Sequence, residues 1–286
     1  MKDILNLSEK KRTILFASSL YIVWVFFTWL LEGRILTLLR PEATLERLAY
    51  IIIANYIVGI VIALWLMHYF IDSGFLELKQ MGFRSIKRTI IAVVIGGAIG
   101  FAIYAIQSPP SMDPIVISNA FAQVLTVSIT EIVVCWGIIG SSAESLTKEK
   151  GHYVSAIAAI LSASVLFGIY HFAHSPPFNT VMMVLFLTLI GVGTSLFYFI
   201  IRDIYGTIVF HNFFGIFGVM QALEATGTLA SFSQPMYTLY ASAIIAIILL
   251  VVSDIFFIRR SEVIQMLPLT KSKEATEEKT WTRDEH

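Results

Sequence analysis

Three ionisable side chains, Glu131, His171 and His211, lie within long apolar runs of this 286-residue chain. Carboxylates and imidazoles are the usual carriers of protons in catalysis. Apolar surroundings favour the neutral form of either type, which moves the carboxyl toward neutrality and leaves the imidazoles as neutral rings that can accept or donate. One acid and two imidazoles can therefore activate a water molecule and donate to a developing oxyanion. The same set has the composition of a zinc site with one open position. It also has the composition of a polar network that does no more than lock helices together.

The elements that must position these residues are membrane spans. The chain is 57% hydrophobic and 14% charged, with a mean hydropathy of +0.78, whereas a soluble domain carries about 25% charge. Lipid is the expected solvent. Runs of about 20 apolar residues, the length that crosses a bilayer, occur at 13–31, 50–71, 89–107, 115–141, 153–172, 180–201, 204–223 and 237–258. The expected fold is all-α, a polytopic bundle of about eight transmembrane helices over residues 1–270, with a polar, disordered tail at 271–286. The first apolar run is long enough to remain as an anchor rather than a cleaved leader. Zero formal net charge leaves no footprint for nucleic acid.

Basic residues set the orientation. With both termini in the cytoplasm, seventeen of the twenty Lys and Arg residues fall on that side, leaving Arg34, Arg40 and Arg47 opposite. An ionisable group at mid-bilayer costs about 2.5 kcal/mol or more and is read first as functional. His68 and Asp254 lie near span ends and are expected to reach the interface. Glu131, His171 and His211 are not so placed. They sit on spans four, five and seven.

Sequence context adds a resemblance. Span four reads Glu131-Ile132-Val133-Val134-Cys135-Trp136-Gly137, span five Phe167-Gly168-Ile169-Tyr170-His171, and span seven His211-Asn212-Phe213-Phe214-Gly215. Together these resemble, in order, the three motifs of the CAAX prenyl endopeptidase and bacteriocin-processing family of intramembrane proteases: Glu-Glu-x-x-x-Arg, Phe-x-x-x-His and His-x-x-x-Asn. The resemblance covers about residues 115–223. It implies an eight-span endopeptidase that cleaves a peptide bond near the C-terminus of a prenylated or membrane-anchored substrate, without a required cofactor. In that frame Glu131, assisted by His171, activates the water, and His211 donates to the oxyanion. The sequence departs from the pattern at three places. Ile132 and Trp136 replace the second glutamate and the arginine, a joint loss that leaves no orphan charge. Gly215 replaces the asparagine, with Asn212 the nearest amide, roughly 100° around the helix from His211.

Alternatives follow from the same residues. Glu131, His171 and His211 would be the ligands of a zinc-dependent intramembrane protease. Cys135, one turn from Glu131, would be the nucleophile of a transpeptidase, although a lone buried cysteine is usually packing. A member whose chemistry has decayed would act as a membrane scaffold or immunity protein. A transporter would show repeated halves, and none are evident. His174 reads either as a supporting partner of His171 or as an interfacial residue beside Ser175-Pro176-Pro177, the second favoured because a loop-adjacent histidine costs little. Gly168, Gly191, Gly193 and Gly215 are expected to permit close helix packing. One geometric demand stands out. His171 lies near the far end of span five and His211 only a third of the way along span seven, a depth difference of about 15 Å. Tilt or unequal entry depths must close it.

Overall fold

A computed structural model describes residues 8–37, 40 and 43–259; the expected tail at 271–286 lies outside the described residues. Among the described residues there is no strand, and eight helices are long and apolar enough to cross a membrane. They are α1 (Glu9–Gly33), α2 (Thr44–Asp72), α3 (Ile86–Ile106), α4 (Pro114–Lys150), α5 (His152–Ala173), α6 (Val181–Ile201), α7 (Ile204–Ala225) and α8 (Tyr237–Arg259). Each encloses most of one expected run. The largest difference is α4, which reaches nine residues beyond Ser141, because Ser141–Thr147 continues as a helix.

Helix α4 is the central post. Its apolar window is 94% buried, against 22% for α1 and for α3. An apolar helix surrounded by other helices must be hydrophobic on every side, and Ile132, Val133, Val134, Cys135 and Trp136 are all inaccessible. The chain takes the wider π-helical geometry from Ile132 to Gly140, directly after Glu131.

Polar contacts fix two ends of the bundle. At one end Lys10 meets Glu149 at 2.9 Å, Arg84 donates to the Arg202 carbonyl at 2.9 Å, and Arg259 donates to the Arg84 carbonyl at 3.2 Å. At the other, the Asn119 amide donates to the Phe232 and Gln234 carbonyls, both at 2.8 Å, and Glu32 binds Ser175. Lys10, Arg84, Arg202 and Arg259 thus share one end.

The depth difference is closed by unequal entry. Glu131 lies 19 residues before Lys150, and His171 lies 19 residues after His152. At 1.5 Å per residue each leg of this α4–α5 hairpin is about 28 Å long, so Glu131 and His171 come to the same level. Arg202, at the α6–α7 joint, is held by a bidentate ion pair with Glu144, six residues short of Lys150. Helix α7 therefore starts deeper in the bundle, and His211, nine residues on, needs only about 14 Å of helix to approach Glu131.

Candidate active site

Glu131 is buried between two imidazoles. Its Oε1 lies 3.7 Å from His171 Nε2, and its Oε2 lies 3.2 Å from His211 Nε2. Helices α4, α5 and α7 each contribute one of the three expected residues, and the structure brings all three together.

Local bonds aim each ring. His171 closes α5, where the last turn tightens to a 3₁₀ geometry, and its Nδ1 lies 2.8 Å from the Phe167 carbonyl. A carbonyl only accepts, so Nδ1 carries the hydrogen and the neutral ring turns an Nε2 lone pair toward Glu131. His211 Nδ1 lies 2.8 Å from Thr194 Oγ1 on α6. When that hydroxyl donates, the ring hydrogen sits on Nε2 and points at Glu131 Oε2. The two imidazoles then differ in kind: one accepts and one donates.

The replaced motif positions have structural occupations. Ile132 and Trp136 are fully buried. The Trp136 indole N–H donates to Ser195 Oγ at 2.8 Å, and its ring packs 5.4 Å from His211 and 5.2 Å from Phe167. It supports the very ring that would hold the oxyanion. Asn212 does not stand in for the missing amide: it accepts from Ser128 Oγ at 2.9 Å and donates to the Phe121 carbonyl at 3.1 Å. Gly215 lines the cavity, but a Cβ there would collide with Val124. Cys135 is buried and is not among the cavity residues.

Two residues of the cluster lie outside the expected three: His174, for which sequence favours the interfacial reading, and Glu32, which the sequence does not single out. His174 is only 7% exposed, and its Nδ1 lies 3.0 Å from Glu32 Oε2. Glu32 is inaccessible and also takes the Ser175 backbone N–H at 2.9 Å and the Ser175 hydroxyl. The interfacial reading of His174 is thus corrected, because the loop after α5 folds back against the end of α1. Glu32 escaped notice because the first apolar run ends at Leu31 and Arg34 follows closely; the His171-x-x-His174 spacing was the available signal. Glu131, His171 and His174 each offer a ligand atom, and no two of these lie more than 4.8 Å apart. The metal-like grouping therefore contains His174 where the sequence suggested His211.

Elsewhere, Asp254 does not reach solvent. It is 2% exposed, and Arg259 and Tyr205 come to it at 3.0 and 2.8 Å. His68 lies 3.2 Å from Asp72 at a partly exposed position, as expected. Gly168 and Gly191 face Thr188 and Ser164 closely, but Gly193 faces open space and packs against nothing.

The cluster lies at the foot of a cavity of about 440 Å³. Its walls are apolar, with Val127, Phe186, Ile190 and Phe214 among them, and it extends to Gln107, Gln221 and Ala225 at the far ends of α3 and α7. Such a recess accommodates an apolar segment while presenting two acids and three imidazoles to it.

Residues 113–217 match the family model described as type II CAAX prenyl endopeptidase, Rce1-like. This segment, somewhat over a third of the chain, is similar to that family. No curated protein and no solved structure gives a match. The Rce1-like segment carries Glu131, His171, His174, Thr194 and His211, whereas Glu32 lies outside it. The chain thus joins a segment similar to a protease family to eight helices long and apolar enough to cross a membrane.

Proposed function

We propose that this chain is an intramembrane endopeptidase in which Glu131 activates water to hydrolyse a peptide bond of a membrane-anchored or prenylated substrate. The observation that supports it most is the carboxylate held 3.7 and 3.2 Å from two imidazoles beside an apolar recess. A water between Glu131 Oε1 and His171 Nε2 meets two acceptors, one for each of its hydrogens. Glu131 takes a proton as the oxygen attacks the scissile carbonyl. His211 Nε2–H, backed by Thr194, donates to the oxyanion, a contribution of about 10²–10³ in rate for one donor. No residue at 215 adds a second donor, so a slow enzyme is expected.

Orientation narrows the substrate. With the basic end in the cytoplasm, the cavity, which extends away from that end, opens toward the opposite face. A segment anchored in or exported across the membrane then reaches Glu131 more directly than a cytosolic C-terminus does. The reading of a decayed scaffold draws support from Gly215 and the engaged Asn212. A product-mapping experiment separates the two. Purified protein in detergent is incubated with a farnesylated CAAX peptide and with a peptide carrying a single transmembrane anchor, and the products are identified by mass spectrometry. Cleavage of either that is lost in His171→Ala and in His211→Ala supports the peptidase; no cleavage by wild type leaves the scaffold.

A further inference from the structure

We propose that Glu32 and His174 form a second proton-carrying arm of the site, which delivers to the leaving nitrogen the proton that Glu131 takes from water. The proposal rests on the peptidase reading above and extends it to residues that the motif resemblance does not assign.

The construction of the pair is costly for a structural ornament. Glu32 is a fully buried carboxylate in the last turn of α1, where the negative end of the helix dipole opposes it. Its oxygens are occupied by the Ser175 N–H, the Ser175 hydroxyl and His174 Nδ1. Gly33 makes this docking feasible, since a Cβ there would lie 2.9 Å from the Ala173 carbonyl carbon and 3.3 Å from that of His174. All of that machinery fixes one imidazole. With Nδ1–H donating to Glu32, the remaining nitrogen of His174 is Nε2. It is buried without a hydrogen-bond partner among the described residues, an unfavourable state for a polar atom.

His174 itself belongs to the cluster. The ligand atoms of His174, His171 and Glu131 lie within 4.8 Å of one another. Glu131 Oε1 and His171 Nε2 are 3.7 Å apart, close enough for one water to bridge them. His171 and His174 both carry their hydrogens on the outer nitrogen, so the cluster presents lone pairs to lone pairs. One mobile proton relieves that arrangement, and hydrolysis supplies one.

The step balances. Water adds its oxygen to the acyl carbon and gives one proton to Glu131. Glu131 passes it to His174 Nε2, and the Glu32 carboxylate stabilises the resulting imidazolium, as a buried aspartate does for the histidine of a serine-protease triad. The C–N bond breaks as the imidazolium protonates the leaving nitrogen. The acyl product keeps the hydroxyl, the amine keeps the proton, and Glu131 and His174 return to their starting forms.

The test compares leaving groups in the detergent-purified full chain. An internally quenched farnesylated CAAX peptide has an amine leaving group that must be protonated; the matching p-nitrophenyl ester releases a phenolate that need not be. His174→Gln and Glu32→Gln are expected to lower the peptide-to-ester ratio of kcat/KM by about 10²-fold, with ¹⁵N-histidine NMR of the wild type showing His174 protonated on Nδ1. Equal losses on both substrates would overturn the proposal and leave a structural pair. So would an Nε2–H tautomer, or stoichiometric metal in the wild type that His174→Gln removes. Failure of the wild type to cleave the peptide while Glu131→Gln matches it on the ester would instead remove the peptidase reading, and the arm with it.

Discussion

Replacing Gly33 with alanine adds a single methyl group at the seam between α1 and the loop after α5. An added Cβ would stand 2.9 Å from the Ala173 carbonyl carbon, 3.3 Å from the His174 carbonyl carbon and nearer still to the Ala173 oxygen. These are backbone atoms and cannot rotate away. Carbon–carbon contact at about 3.5 Å or more requires the end of α1 to retreat by roughly 0.6–1 Å. Glu32 is the preceding residue, and its bonds to Ser175 N and His174 Nδ1 are 2.9 and 3.0 Å long. A retreat of that size stretches them to the limit of a hydrogen bond. Bonds to a charged group contribute about 1.5–3 kcal/mol each, so loss of one to two of them is expected, offset in part by relaxation of the loop. Misplacing a catalytic group by about 1 Å costs on the order of 10²-fold in rate. The expected outcome is a lower thermal midpoint in detergent and a fall of about 10²-fold in kcat. Both are read by parallel melting and peptide-cleavage curves. A Gly33→Ala protein with wild-type midpoint and wild-type kcat would refute the claim that α1 docks on this loop to serve the site.

Three further outcomes follow from the same geometry. Thr194→Val removes the hydroxyl 2.8 Å from His211 Nδ1 and should lower kcat about 10-fold or more with little change in KM, the signature of a contact made in the transition state; a change confined to KM would contradict the oxyanion role of His211. Trp136→Arg buries an unpaired cation where Trp136 now has no exposure and should destabilise by about 3–5 kcal/mol, and adding Ile132→Glu should recover part of that loss. Strict additivity of the two, measured by detergent or thermal unfolding, would show that the positions do not communicate. A cysteine at Gln221, on a Cys135→Ser background, should react with a membrane-impermeant maleimide added outside intact cells or spheroplasts; labelling only after lysis would place the cavity mouth on the cytoplasmic face.

Much of the fold was legible because lipid imposes a simple length rule, and each of the eight apolar runs corresponds to a helix. Glu131, His171 and His211 were legible for an energetic reason: few ionisable residues lie deep in the spans, and those that do carry a cost. What escaped was anything decided by where chains end and turn. The length of α4 beyond Ser141 could not be read from hydropathy, because Ser141–Thr147 is polar, and with it went the explanation of how His171 and His211 share a level. Glu32 lies one residue past an apolar run, and nothing local marks it as buried. His174 resembled a loop histidine, since nothing local shows that the loop folds back onto α1. Asp254 was expected to reach water, whereas α8 lets Arg259 reach back to it instead.

The central claim is that the carboxylate of Glu131 removes a proton from the attacking water. The most direct measurement is the hydrolysis rate of the farnesylated peptide by wild type and by Glu131→Gln, an isosteric change that keeps hydrogen bonding but abolishes the base, each with and without a strong metal chelator. The account predicts a loss of at least about 10²-fold in Glu131→Gln and no effect of chelator on wild type. Undiminished hydrolysis by Glu131→Gln, or wild-type activity that vanishes with chelator and returns with zinc, would contradict it.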